Sequence, residues 1–409
     1  MNQKIIIIGG GAAGFFGAIS AATHQPQAEI TILEASKQLL DKVKISGGGR
    51  CNVTHHCFNP SQLITNYPRG GRELRGPFSR FQPQDTVKWF TDKGVKLKTE
   101  ADGRMFPITD DSQTIIDCLV NTAKSLGIKI KTQTFVKSIK KVENQFIITL
   151  KSGAEFQADK VLIATGSNKL GYQWAEFLGH SIKTPTPSLF TFKINDPRIK
   201  NLAGISSENV HIQLKQKKGK KLEQQGPLLI THWGVSGPAV LKLSAWGARI
   251  LYENNYKMEL IINWLPQKNP EVIKAELNQL KVNHPKQKVT NYNGYNLSKR
   301  LWQSLVDYSL LNNDKIWAEI TKKELEKLAM ELTRGAYKIE GRGVFKDEFV
   351  TCGGVSLKEI DFKTMESKKC KGLYFAGEVL DIDGVTGGFN FQNAWTTGWL
   401  FGQHLISSI

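Results

Sequence analysis

Cysteine is scarce in this chain of 409 residues, and its few copies are scattered: Cys51, Cys57, Cys118, Cys352 and Cys370, with no Cys-x-x-Cys pair. An odd count without framework spacing fits reduced thiols and removes a closely spaced zinc site or redox disulfide, so no metal is expected. Long apolar runs are missing too. None reaches the roughly 18 residues of a membrane span, and a strand-like stretch beginning at Lys4 leaves no room for a signal peptide ahead of it. The expectation is a cytoplasmic protein without a membrane partner. There is no His-Glu-x-x-His, no Gly-x-Ser-x-Gly and no paired-carboxylate motif, which leaves hydrolase readings without support. Acidic residues are in short supply, 37 Asp and Glu against 55 Lys and Arg, for a net charge of +18. The excess is uneven. Residues 195–342 carry 24 basic against 14 acidic side chains, and residues 40–104 carry 12 against 6. Clustered positive charge favours a polyanionic partner such as nucleic acid, although a soluble basic surface has the same composition.

What is present is organised around the N-terminus, Lys4-Ile-Ile-Ile-Ile-Gly9-Gly10-Gly11-Ala12-Ala13-Gly14. Four consecutive isoleucines read as a strand buried on both faces, as parallel sheets require. The strand runs into Gly9-x-Gly11-x-x-Gly14 and then a small-residue helix. Gly9 permits the turn, Gly11 lets a pyrophosphate approach the backbone, and Gly14 lets helix and strand pack closely. The helix start offers free N–H groups to phosphate. Twenty residues beyond Gly14, Thr31-Ile-Leu33-Glu34 reads as a second strand ending in an acid that can accept hydrogen bonds from a ribose.

Further along, Lys42-x-Lys44-Ile-Ser46-Gly-Gly48-Gly49-Arg50-Cys51-Asn52 reads as a loop whose backbone N–H groups converge, as in an anion nest, with a flexible surface loop as the plain alternative. Arg69, Arg72, Arg75 and Arg80 lie in a Gly- and Pro-containing segment that should not form a long helix; they suit phosphate contacts or a solvated loop equally. Helices are expected over 84–93 and 111–126, short strands at 128–130, 135–136 and 146–150, and a buried strand over 159–166 that ends in Ala164-Thr165-Gly166. From about residue 188 the pattern changes to period two, at 190–194, 210–215, 228–232 and 258–264, with Lys217, Lys218, Lys220 and Lys221 at a hairpin tip. Helical patterns follow over 270–281, 298–311 and 322–334. Residues 195–342 therefore read as an inserted module with a β part and an α part. The chain then returns to the first domain through a strand ending in Gly377-Glu378, a glycine-rich loop with Asp383, and a helix over 392–407.

The combination of an N-terminal dinucleotide fold, an Ala-Thr-Gly strand end and a C-terminal Gly-Glu before a glycine loop resembles the two-dinucleotide-binding-domain flavoproteins. Four blocks narrow the resemblance to the YhiN/BaiN-like family of FAD-dependent flavoproteins. They are Lys44-Ile-Ser-Gly-Gly-Gly-Arg-Cys-Asn52, Thr231-His-Trp-Gly-Val-Ser-Gly-Pro238, Thr351-Cys-Gly-Gly-Val355 and Ala376-Gly-Glu through Gln392. The resemblance implies an α/β fold: a Rossmann-like FAD-binding domain of the glutathione-reductase type in two segments, 1–194 and 343–409, split by a β-barrel-plus-helices insert over 195–342. It also implies an FAD site. Gly9, Gly11, Ala12, Ala13 and Gly14 would hold the pyrophosphate and Glu34 the adenosine ribose. Lys42, Ser46, Gly48, Gly49, Arg50, Cys51 and Asn52 would lie along pyrophosphate and flavin, and Val136 would meet adenine through its backbone. Ala164, Thr165 and Gly166 would close over the same half. Gly377, Glu378 and Asp383 would reach the ribityl–phosphate region, and Gly388, Phe389, Asn390 and Asn393 the isoalloxazine. A second complete Gly-x-Gly-x-x-Gly on a strand is missing, so NAD(P)H as transient reductant is implied by the resemblance alone.

Three residues are candidates for catalysis. His232, before a Gly-Val-Ser-Gly-Pro turn, is either a backbone-bonded histidine or a proton donor facing substrate. Cys51 sits in a glycine-rich turn with no adjacent base, as does Cys352, and a small buried thiol is the simpler reading. His55, next to His56, is an active-site acid or a surface residue. The resemblance implies a reductase of an activated C=C bond. Its substrate would be a uridine of ribosomal RNA, as in a dihydrouridine synthase, or a small-molecule enone; the uneven charge favours RNA. A different class remains open, an RNA-binding or assembly flavoprotein whose FAD is structural.

Overall fold

The computed structural model describes residues 2–216, 219–292, 294–310, 314–343 and 350–405 of the chain. These fall into two units, Met1–Pro185 with Val350–Ile409, and Thr186–Phe349. The sequence pattern put the insert at 195–342. The units part somewhat outside those positions, because the chain around Leu189–Phe192 already belongs to the second unit's core and sheet.

In the first unit the isoleucine strand Lys4–Ile8 lies inside a seven-stranded sheet, paired on both sides. Its order is Ile360–Asp361, Glu366–Ser367, Leu373–Phe375, Lys160–Ile163, Lys4–Ile8, Glu29–Leu33, Lys129–Lys131. The last five run parallel and the first two antiparallel at one edge. Ile5 through Ile8 are buried, as a run covered on both faces must be. The helix Ala12–His24 follows directly and packs along the C-terminal helix Phe389–Gln403, where small residues bring the two backbones together. A Cβ on Gly398 would lie 2.8 Å from the Ala13 carbonyl oxygen, and one on Gly402 would collide with Ser20 and Ala21. Ser20 Oγ donates across the same contact to the Trp399 carbonyl at 2.8 Å.

The expected helices are present, with ends moved by a few residues: Pro83–Asp92, Gln113–Ser125 and the C-terminal one. Residues 406–407 lie outside the described residues. Two local expectations change. Lys42 sits on a first helical turn starting at Asp41, and Ser46, Gly47, Gly48 and Gly49 break from helical geometry to make the nest-like turn. The arginine-rich segment forms an eight-residue helix, Gly71–Phe78, seated on buried Leu74 and Phe78. The short strands read separately at 135–136 and 146–150 belong to one meander, Val136–Val142, Gln145–Leu150 and Glu155–Ala158.

In the second unit seven antiparallel strands follow the order Gly335–Ile339, Met258–Asn263, Ser206–Leu214, Leu222–Thr231, Gly234–Ser236, Phe192–Lys193, Gly341–Arg342. The two ends of this order, Gly335–Ile339 and Gly341–Arg342, are one run of chain interrupted only at Glu340, whose N–H donates to the Lys193 carbonyl, so the order closes on itself as the expected barrel does. Helices Pro270–Asn283, Lys299–Leu310 and Lys322–Arg334 cover its apolar side. Their starts are set locally: Asn269 accepts from the Val272 N–H, and Thr321 with Glu324 forms a reciprocal capping box. Lys217 and Lys218 of the hairpin tip lie outside the described residues, as does Leu311.

An ionic clamp fastens the antiparallel edge of the first unit. Ser367 Oγ accepts from the N–H groups of Lys369 and Cys370, so its own hydrogen goes to Nε2 of buried His180 at 2.8 Å. The histidine proton then sits on Nδ1, 3.2 Å from Glu359. Burial pushes the His180 pKa down, opposed by Glu359. Partial burial of Glu359 is outweighed by hydrogen bonds from Lys369 and Ser181, which push its carboxyl down to about 2. Both shifts have the same sign for stability. Below an unfolded histidine value of about 6.5 the unfolded chain takes a proton that the folded one resists, and between about 4.5 and 2 the same applies to the carboxylate. Urea midpoints should therefore fall from pH 7 to pH 5 and again towards pH 3. Glu359→Gln should lower the midpoint at pH 7 and narrow its gap to wild type as pH falls below 4.5; a constant gap would show that Glu359 does not titrate in this way.

Candidate functional site

In an open parallel sheet ligands bind beyond the carboxyl ends of the strands. Here those ends are Ile8, Leu33, Ile163 and Phe375, and the turns that follow them, Gly9–Gly11, Glu34–Ser36, Ala164–Ser167 and Ala376–Glu378, gather at one edge. Gly9, at φ +114°, donates its N–H to the Leu33 carbonyl and leaves no room for a Cβ beside Ala164. Gly14 has no room either, because its Cα lies against the Gly9 carbonyl. Gly11 is different: a Cβ there would meet nothing within 4 Å. The helix that begins at Ala12 has no side-chain cap and no acid in its first turn, so its N–H groups are offered to an anion.

Glu34 is held at the next strand end. Its Oε2 accepts from the Gly10 N–H and Oε1 from the Ser36 N–H, both at 2.7 Å. The fixed carboxylate keeps lone pairs for a ribose. Thr134 N–H donates to the Glu34 carbonyl, bringing the chain that leads into Val136 to the same end. Lys42 pairs with Glu378 and lies 3.3 Å from Ser167 Oγ, while Glu378 Oε1 accepts from the Thr351 N–H at 2.9 Å. A Cβ on Gly166 would be 3.5 Å from Glu378, and Gly377 allows no side chain against Ala13. Thus Lys42, Gly166, Gly377 and Glu378 converge on the glycine turn.

A second group surrounds the start of the C-terminal helix, whose N-cap is Gly388 at φ +90°, again without a side-chain cap from that residue. Gly388 lies against the Thr54 backbone where a Cβ would not fit. With its amide turned so that both ends are satisfied, Asn52 donates to the Thr54 carbonyl at 3.1 Å and accepts from the Gly388 N–H at 3.0 Å. His55 stacks on Phe389 with ring centroids 4.7 Å apart, its Nε2 3.1 Å from the Asp102 carbonyl. Tyr67 donates its hydroxyl to the Phe389 carbonyl at 2.7 Å. Asn390 uses both ends of its amide on Gly384, closing its own loop. Gly48 and Gly49 have open space where a side chain would stand.

Several expected roles change. Cys51 is fully buried and its thiol is pushed up to about 12 by that burial, so it is a neutral core thiol and not a thiolate nucleophile. Arg50 turns away from an anion role: it pairs with Glu100 at 2.7 Å and stacks its guanidinium over Phe106 at 4.0 Å. Asp383 is completely buried and makes a bidentate pair with Arg69, which removes Arg69 from any phosphate-binding surface and Asp383 from direct contact with a ribityl chain. His232 is exposed with Trp233 at the two-residue tip between strands Leu222–Thr231 and Gly234–Ser236, in the second unit. Sequence reasoning missed Gln392. Fully buried, it accepts from Thr54 and Thr86 and donates to Thr396, tying the His55 strand to the C-terminal helix. A glutamine among large apolar residues, Phe391 before it and Trp395 after it, is the available signal.

These features test directly for a dinucleotide. Gly11 is a cradle that a side chain would fill, the two helix starts have glycine N-caps that supply no side-chain cap of their own, and buried Thr165 Oγ1 and Asn393 Oδ1 have no hydrogen-bond partner among the described residues. The residues fit FAD, with a long cradle bounded by Glu34 at one end and the C-terminal helix at the other. A family model, the HI0933-like protein Rossmann domain, matches residues 3–404.

The chain belongs to the HI0933-like family.

It is an FAD-dependent oxidoreductase with a Rossmann-type FAD-binding domain. Its relatives include ribosomal RNA dihydrouridine synthases from Escherichia coli K12, 29% identical over 98% of both chains, and from Haemophilus influenzae, 30% identical over 96% of both. A 3-dehydro-bile acid delta(4,6)-reductase from Clostridium scindens is 28% identical over 98% of both. Among solved structures, a 3-ketosteroid-delta4-(5alpha)-dehydrogenase from Rhodococcus jostii RHA1 shares the fold, with a TM-score of 0.51 at 14% identity over 98% of this chain and 97% of that one.

The two glycines separate cofactor binding from folding. Gly11→Ala should purify folded, with an apo-protein melting temperature within about 2 °C of wild type, and lose most bound FAD. Gly14→Ala should destabilise the fold itself, by about 1–3 kcal/mol as an overpacked contact. Full FAD loading of the Gly11 variant, read by absorbance, would contradict the cradle. Arg69→Ala leaves a buried carboxylate without its partner and should cost about 3–5 kcal/mol in urea unfolding.

Proposed function

We propose that this enzyme reduces an activated C=C bond in a uridine of ribosomal RNA, with NAD(P)H as its electron source. The similarity over nearly the whole chain to two ribosomal RNA dihydrouridine synthases carries this reading. The net charge of +18 supports it, because a polyanion must be neutralised before one base can be presented for chemistry. Activity in the cytoplasm follows from that substrate.

Bound FAD would supply the hydride for the C=C bond. The chain's own residues bind and orient. Gly9–Gly14 and the uncapped helix start would receive the pyrophosphate, Glu34 the adenosine ribose, and Lys42 with Glu378 the middle of the cofactor. The uncapped start of the C-terminal helix would stabilise negative charge near Gly388–Asn390. Of the three catalytic candidates, His55 stands beside that helix start, stacked on Phe389, and is assigned the proton. Cys51 is excluded by its burial, and His232 remains a surface residue at a hairpin tip. A small-molecule enone is the second reading, favoured by the similarity to the bile acid reductase.

Nucleoside mass spectrometry of ribosomal RNA decides between them. A strain lacking this protein should lose a dihydrouridine signal, wild type should restore it, and Gly11→Ala should not. His55→Gln should restore little while keeping FAD. Unchanged ribosomal RNA together with NAD(P)H-dependent reduction of a conjugated enone would replace this reading with the second.

A further inference from the structure

Most arginines of the first unit are consumed by the fold. Arg50, Arg69 and Arg104 pair with carboxylates, and Arg80 donates to the Lys363 carbonyl at 2.9 Å. Arg72 and Arg75 do neither. Both are exposed, and among the described residues neither side chain has an ion pair or a hydrogen bond. They stand three residues apart on the helix Gly71–Phe78, so one face carries both, while Glu73, the acid of that helix, lies about 100° around it from Arg72. Buried Leu74 and Phe78 seat another face in the core and leave the arginine face outward. A pocket of about 420 Å³ opens beside the pair, walled by Ile64, Tyr67 and Pro68. A second, of about 310 Å³, shares Glu73 with it and extends to Arg80 and Lys363. The first pocket adjoins the cofactor edge through Tyr67, whose hydroxyl donates to the carbonyl of Phe389, the first residue of the C-terminal helix. Gly384, in the loop before that helix, would set a Cβ 3.3 Å from the Tyr67 ring, and Gly70 would set one 2.5 Å from Ile382. The two arginines therefore border, within one unit, the loop and helix start assigned to the flavin.

An open groove lined by exposed cations suits the backbone of a long polyanion, which keeps one edge in water while its phosphates meet guanidinium forks. A dinucleotide reductant is held differently, in a cleft that buries most of its surface. We propose that Arg72 and Arg75 receive neighbouring phosphates of the RNA strand that carries the reduced base, laying that strand across the helix Gly71–Phe78. Such contacts set the register of a strand and carry no sequence information, so they position the base without selecting it. The proposal rests on the ribosomal RNA reading and adds to it the surface on which the substrate lies.

The test uses the full-length, FAD-loaded protein and a fluorescein-labelled single-stranded RNA of mixed sequence, about 12 nucleotides long, with binding read by anisotropy across a salt series. Replacing both residues, Arg72→Gln with Arg75→Gln, should shallow the slope of log affinity against log salt by about 1.4, two contacts at about 0.7 each. The curves should meet near 1 M salt, which makes the loss about 25-fold at about 0.1 M. Arg72→Lys with Arg75→Lys should keep most of the slope, because a point charge also displaces counterions. Lys124→Gln with Lys140→Gln removes the same charge from exposed positions elsewhere in this unit and should leave affinity and slope near wild type. FAD content and the KM for NAD(P)H should be unchanged in every variant, which excludes misfolding as the cause. Wild-type affinity and slope in the double glutamine variant would overturn the proposal, and so would an equal loss in the lysine control, which would make net charge the cause. A raised KM for NAD(P)H would assign the arginines to the reductant instead. The ribosomal RNA reading is judged apart from this, by dihydrouridine in the deletion strain: restoration by the wild-type gene upholds it even where the arginine pair fails. A deletion strain that loses no dihydrouridine removes the reading and this proposal together.

Discussion

Everything at the cofactor edge depends on one close approach, the helix Ala12–His24 lying directly against backbone on two sides. On one side Gly14 touches the carbonyl of Gly9; on the other, Gly398 and Gly402 of the C-terminal helix meet Ala13, Ser20 and Ala21 with no side chain between. Because the two helices touch at backbone distance, residues almost four hundred positions apart in the chain frame a single cradle. One uncapped helix start comes from each end. Larger residues at these contacts would push the C-terminal helix outward and carry Gly388, Phe389 and their partners with it.

That geometry is then pinned by polar groups that are buried or nearly so. Asp383 and Arg69, Gln392 with its three threonines, and Tyr67 on the Phe389 carbonyl tie the segments 54–70 and 382–396 together, with Thr86 of the helix Pro83–Asp92. A buried network of this kind is worthwhile only when its members are satisfied, and here each named group has a partner. The second unit shows the same economy at Arg198, which bonds Asp196 and Glu331 and lies 3.7 Å over the Tyr337 ring.

The charge distribution must therefore be read after these internal uses are subtracted. Arg50, Arg69 and Arg198 count toward the +18 yet serve carboxylates within the fold. Lys274, Lys268, Lys288 and Lys315 likewise face Glu326, Glu276, Asp314 and Glu324. A bulk excess identified the class of partner worth considering; the side chains left to meet it are fewer than composition implies.

The sequence by itself determined the central strand, the glycine turn, the acid at the next strand end and the period-two strands of the second unit. Each of these is encoded locally, by a run of isoleucines, by residues without a Cβ, or by a change from one hydrophobic period to another. It also determined the helices of the second unit to within a few residues, through caps such as Asn269 and Thr321. Tertiary structure decided which polar residues face a ligand and which face one another. Nothing within ten residues of Asp383 announces Arg69, nothing near Cys51 announces how completely it is buried, and nothing in the arginine-rich segment announces that Arg69 is spent on a carboxylate while Arg72 and Arg75 stay exposed. Such assignments depend on pairings between distant segments, and those exist only once the chain has closed on itself.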